Sequence, residues 1–174
     1  MAVQRRNLFL YLTLICFIGI ILIFIFDGYM GVYDSVSVTA GEFPQNIEAD
    51  QWQQHERYGY WPSVYVERGN SVDFDYRVDN HRFSIYTADV DVTLWRSQQK
   101  LSDLLTETLT VESFDSGQVK WSLDTAKIVP ADFPPEQSYD CTVVINRGEI
   151  ERRIIINVNP APYSPKPVIV EPQR

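Results

Sequence analysis

Residues 71–79 read SVDFDYRVD, a strict alternation that only an extended chain can sort into two faces. Val72, Phe74, Tyr76 and Val78 fall on one side, and Asp73, Asp75, Arg77 and Asp79 on the other. This is the period-two pattern of a strand with one buried face. It returns in ADVDVTLWR (88–96), where Ala88, Val90, Val92 and Leu94 oppose Asp89, Asp91, Thr93 and Trp95. VKWSLD (119–124) aligns Val119, Trp121 and Leu123, and SYDCTVVIN aligns Tyr139, Cys141, Val143 and Ile145. In ERRIIINVN the shared face is Arg152, Ile154, Ile156 and Val158. Between these last two runs lies Asn146-Arg147-Gly148-Glu149, with Gly148 supplying the positive φ of a hairpin. Further strands are expected at 35–40, 62–67 and 105–112, the second closed by an Arg68-Gly69-Asn70 turn. Residues 98–107 are ambiguous between strand and a short helical turn. Seven or eight half-apolar antiparallel strands need two packed sheets to bury their apolar faces. The expected fold is all-β, an antiparallel β-sandwich.

One segment breaks this period. Residues 8–26, LFLYLTLICFIGIILIFIF, carry no charge and no proline. At about 1.5 Å per residue they reach roughly 28 Å as a helix, close to a bilayer's hydrocarbon thickness. A cleaved signal would have a shorter apolar run and a small-residue cleavage site, and Ile15 before Cys16 does not fit a lipoprotein site. The expectation is a single transmembrane helix. Arg5 and Arg6 precede it and Asp27 follows, which places the N-terminus in the cytoplasm and the remainder outside. The expected organisation is a cytoplasmic 1–7, a membrane helix 8–26, a juxtamembrane linker 27–34, an extracytoplasmic sandwich 35–159 and a proline-rich tail 160–174. That tail holds five of the ten prolines and reads as an extended segment, exposed or docked on a neighbour.

The chain has 15 Lys+Arg against 23 Asp+Glu, a formal net charge of −8, and every acidic residue follows the apolar run. Such a balance argues against nucleic acid as a partner and against electrostatic adhesion to anionic lipid. The expected partners are other membrane or surface proteins, with the lipid bilayer contacted through 8–26. There are two cysteines. A Cys16 within the membrane helix cannot reach Cys141, so Cys141 is either a buried thiol or an intermolecular link. Its place on an apolar strand face favours the buried thiol.

Across residues 60–160 the chain resembles the immunoglobulin-like and fibronectin III-like β-sandwich superfamily. SVDFDYRV stands as its strand B, ADVDVTLWR as strand C, VKWSLD as strand E, and SYDCTVVIN with ERRIIINVN as the closing F–G hairpin. The resemblance implies an Ig-like sandwich with Tyr139, two residues before Cys141, as the corner tyrosine. Strand B has Phe74 and Tyr76 where a disulfide-bonded domain has its first cysteine. Trp95 lies on the polar face of its strand, away from the usual core-tryptophan position unless a bulge shifts the register.

No catalytic or cofactor motif is present. His55 and His81 lack the spacing of a zinc site, and HExxH, GxSxG, P-loop and CxxC patterns are missing. The expectation is no enzyme activity, no cofactor and no metal. Asp73, Asp75, Asp89 and Asp91 carry ligand chemistry suited to calcium, but alternation alone puts polar residues there. The strongest binding candidates are aromatic: Trp52, Tyr58, Tyr60 and Trp61 in QWQQHERYGYWPSVYV, and Trp95 on its outward face. Exposed indoles and phenols suit protein hot spots and sugar stacking. The expected function is therefore a non-catalytic interaction module, an accessory or assembly subunit of a membrane or cell-surface complex. The alternative is a tethered ligand-binding module for carbohydrate or calcium.

Overall fold

A computed structural model describes residues 2–41, 43–47 and 61–162, with side chains placed at 11–26, 30–41 and 61–162. Helix α1 (Ala2–Tyr29) leads into the β domain. One sheet contains β1 (Val32–Ala40), β2 (Phe43–Ile47), β4 (Ser71–Asn80) and β7 (Ser116–Asp124) in the order β2-β1-β4-β7. The other contains β3 (Ser63–Glu67), β5 (Tyr86–Arg96), β6 (Gln99–Val111), β8 (Tyr139–Arg147) and β9 (Ile150–Asn159), ordered β3-β9-β8-β5-β6. A single helical turn, α2 (Thr125–Ile128), follows β7.

The alternation places the core as expected. Val72, Phe74, Tyr76 and Val78 of β4 are buried, as are Val119, Trp121 and Leu123 of β7, and Tyr139, Cys141, Val143 and Ile145 of β8. Phe74 pairs directly across from Trp121 and stacks on it, with centroids 4.9 Å apart and planes 5° from parallel. The core tryptophan thus comes from β7, not β5. Arg96 lies over the ring of buried Tyr139, its guanidinium carbon 4.2 Å from the centroid.

Several expectations need correction. The described residues form nine strands rather than seven or eight, and the sandwich is not wholly antiparallel. β3 runs parallel to β9, from Ser63 opposite Ile155 to Glu67 opposite Asn159. β2 (FPQNI) shows no alternation and contains Pro44, which a sheet tolerates on an edge strand. Residues 99–107 are strand, not a helical turn: the Ser97–Gln98 turn lays them alongside β5, and two register shifts in that pairing absorb their irregular pattern.

The membrane assignment is overturned. Residues 8–26 are helical, but among the described residues no helix is long and apolar enough to cross a membrane. The single-pass transmembrane anchor, the membrane localisation and the extracytoplasmic placement of the sandwich are not supported, and lipid contact through 8–26 loses its basis. The apolar side chains from Tyr11 to Phe26 are largely exposed around the helix. The segment after α1 is tied to the sandwich by two hydrogen bonds: the His81 amide donates to the Gly31 carbonyl and the Arg82 side-chain Nε to the Met30 carbonyl, both at 3.2 Å.

A polar cluster lies between the sheets at the α1 end. Asp34 and Arg147 are only 5% and 2% exposed. Arg152 donates from Nε and Nη2 to the two Asp34 carboxylate oxygens, each at 3.0 Å. Tyr76 Oη donates to Asp34 at 3.0 Å and accepts from Arg147 Nε at 2.8 Å, while Arg147 Nη1 donates to Tyr86 Oη at 2.6 Å. Burial disfavours the Arg147 charge, but the oxygens of Tyr76, Tyr86 and Asp34 more than offset it and hold the pKa above its ordinary value. Burial, reinforced by the Asp34 charge, keeps the Tyr76 phenol protonated well beyond its usual range. Cys141, a free thiol, is pushed up to about 12, first by burial and then by the Asp140 charge.

Two outcomes test this packing. Removing one partner of a buried ion pair typically costs about 3–5 kcal/mol, so Asp34→Ala should lose that much in urea unfolding. Burial pushes the Cys141 thiol from its ordinary 9.0 up to about 12, so the folded state holds its proton longer. Its contribution is complete below pH 9 and is lost as pH rises to 12. Urea midpoints measured across that window should fall, and less steeply for Cys141→Val, which should fold at pH 7 with or without oxidant.

Candidate functional site

A groove opens on the outer face of the five-stranded sheet, across β5, β8 and β9. Its volume is about 480 Å³, within the ~300–1,000 Å³ of small-ligand clefts. Trp95 and Val144 supply its apolar surface. Val144 stands at an outward position of β8 yet is only 6% exposed. Thr142 and Asn146 flank it on the same strand, Glu151 and Arg153 line it from β9, and Ser97 and Gln98 line it from the β5–β6 turn.

Local geometry fixes these groups. Register shifts between Val92 and Thr93 and between Leu94 and Trp95 interrupt the alternation of β5, so that Val92, Thr93 and Leu94 are all buried. The Trp95 indole remains outward and half-buried, and its Nε1 donates to Thr93 Oγ1 at 2.9 Å. Thr93 Oγ1 in turn donates to the Val144 carbonyl at 3.4 Å. Arg153 Nε donates to Glu151 Oε1 at 2.7 Å, and the Arg153 guanidinium lies 5.6 Å from the centre of the Trp61 ring. The β5–β6 loop holds Ser97 at φ 53° and Gln98 at φ 84°, a conformation for which two-residue hairpins usually select Asn-Gly.

Of the sequence-predicted residues, Trp95 lines the groove, whereas Trp61 is outside its lining and lies beside Arg153. Trp52, Tyr58 and Tyr60 lie outside the described residues. Sequence reasoning missed Gln98, Asn146, Glu151 and Arg153. Their outward positions follow from alternation, but nothing local tells that β5, β8 and β9 adjoin.

The aspartates do not converge. Asp73 and Asp75 are on β4 and Asp89 and Asp91 on β5, on the outward faces of opposite sheets. Each takes a cross-strand partner: Ser122 donates to Asp73, Lys120 pairs with Asp75 at 3.0 Å, Thr108 donates to Asp89 at 2.6 Å and Thr106 to Asp91 at 2.8 Å. Among the described residues no three acidic, His or Cys side chains group to hold a metal ion. The polar cluster around Arg147 was partly legible: Tyr76 and Arg152 fall on inward faces of the alternation, and Arg147 continues the inward series of β8.

No protein-family model matches the sequence, and no curated protein does. Solved structures match in shape. A β-glucosidase from Listeria innocua in complex with glucose aligns at TM-score 0.42 and 10% identity, over 73% of this chain and 16% of its own. A β-glucosidase involved in saponin metabolism from intestinal bacteria aligns at 0.44 and 12%, over 75% and 16%. The periplasmic chaperone SfaE aligns at 0.38 and 11%, over 58% and 56%. The chain thus spans about one sixth of the glucosidases, and at these TM-scores the likenesses assign neither family nor activity.

The strained turn makes its own test. Replacing it by Ser97→Asn with Gln98→Gly should stabilise the protein by about 0.5–1 kcal/mol, a rise of a few degrees in Tm by calorimetry.

Proposed function

We propose that this chain is a non-catalytic recognition module of immunoglobulin-like type, serving as an accessory component of a larger assembly and binding through the outer face of its five-stranded sheet. Strand order supports the Ig-like part. β1-β4-β7 correspond to strands A-B-E, and β9-β8-β5 to G-F-C, of that sandwich, with β6 in the place of C′. Tyr139, buried at the start of β8, stands where the corner tyrosine would.

The observation that carries the recognition role is the meeting of Trp95, from the end of β5, and Arg153, from β9, on one groove with a nearly buried apolar floor at Val144. Tryptophan and arginine are the residue types in which binding energy concentrates. Here an indole hydrogen-bonded to Thr93 and a guanidinium paired with Glu151 line one groove from β5 and β9, on either side of β8.

Site-directed photo-crosslinking in the organism of origin tests this reading. A photoreactive residue in place of Gln98 should capture a discrete partner, and Trp95→Ala should reduce capture about 30-fold, the ~2 kcal/mol of a hot spot. The same probe at Gln118, on the opposite sheet, should capture none. Equal capture from both faces, or capture indifferent to Trp95→Ala, would exclude the groove as the recognition surface.

A further inference from the structure

We infer that the groove binds a neutral saccharide, a pyranose unit stacked against Trp95 and held by the polar groups around it. This rests on the recognition reading of the same face and names the chemistry of what is recognised.

Charge comes first. Glu151 and Arg153 are the two charged residues lining the groove, and they neutralise each other at 2.7 Å. An anionic or cationic ligand meets no excess of opposite charge. The remaining polar lining is rich in groups that both give and take hydrogen bonds, with the amides of Gln98 and Asn146 supplying donor and acceptor together. A wholly apolar ligand would leave these unpaired on desolvation, which disfavours it. The matching ligand is neutral, dense in hydroxyls, and apolar on one face. Sugars of the pyranose class have this character, because axial C–H groups cluster on one side of the ring and suit the face of an indole.

An extended peptide is also neutral and carries donors and acceptors, but the position of the groove disfavours it. Peptides are captured most readily at a free sheet edge, through main-chain pairing. This groove crosses the middle of the sheet, where β8 is paired on one side with β5 and on the other with β9. A peptide lying there finds backbone groups already committed, whereas a sugar addresses side chains only. Fixation of the Trp95 ring by Thr93 and of Arg153 by Glu151 gives the orientation that hydroxyl recognition requires.

The test uses the full chain and a panel of neutral oligosaccharides of glucose, galactose, mannose and N-acetylglucosamine, with sulfated and sialylated counterparts, followed by saturation-transfer NMR and calorimetry. At least one neutral sugar should bind, with transfer strongest to the ring protons of one face. Trp95→Ala should weaken it at least tenfold, and Gln98→Ala, on an exposed turn remote from the core, at least threefold with an unchanged melting temperature. Absence of binding across the neutral panel, binding of the charged sugars alone, or neutral-sugar binding unaffected by both substitutions would overturn the inference. Enzymatic deglycosylation separates it from the broader reading. Loss of capture at Gln98 after deglycosylation supports the saccharide. If capture persists and still depends on Trp95, the recognition module stands and the saccharide falls.

Discussion

Asp34 is buried between two sheets and reached by three side chains, and the geometry of the sandwich depends on that contact. A carboxylate removed from water loses several kcal/mol of solvation unless its oxygens are satisfied. Here Arg152 approaches as a two-pronged donor and Tyr76 adds a third hydrogen bond, while Arg147 is anchored to Tyr76 and Tyr86. These residues come from β1, β4, β5, β8 and β9, so the cluster ties both sheets together. It also fixes register. A one-residue slip of β1 against β4 would turn Asp34 to the outer face and leave two guanidiniums without their carboxylate.

The same cluster orients the groove. Arg147 and Arg152 point inward at the tip of the β8–β9 hairpin, and their chain neighbours Asn146, Glu151 and Arg153 therefore point outward. Gly148, at φ 59°, closes that hairpin at the register which sets Asn146 opposite Glu151. Locking the inward residues holds the outward ones in place along the groove. At the other margin, Ser97 and Gln98 keep side chains where a relaxed turn would carry glycine.

Alternation made much of this legible. β4, β5, β7, β8 and β9 lie where period two put them, because each has one face in the core and the other in water. What failed was whatever alternation does not encode. β2 is too short and too polar to show a period, and the parallel pairing of β3 with β9 depends on contacts between distant segments. An apolar run long enough to suggest a membrane span says that the segment is helical and water-averse, but among the described residues no helix is long and apolar enough to cross a membrane. For the site, Trp61 and Trp95 were identifiable as aromatic residues in exposed settings. Their polar companions were not, since a groove arises from which strands adjoin and sequence periodicity is silent on strand order.

β6 and β7 are joined through residues 112–115, a spacing at which consecutive strands ordinarily pair as a hairpin. They lie instead in different sheets. A Cβ at Gly117 would come within 2.8 Å of a Val111 methyl and 2.9 Å of a Leu109 methyl, so the start of β7 lies flat against the apolar side of β6 rather than beside its edge. Any side chain at position 117 would push the two sheets apart at this point, so glycine there admits the face-to-face packing of β7 on β6.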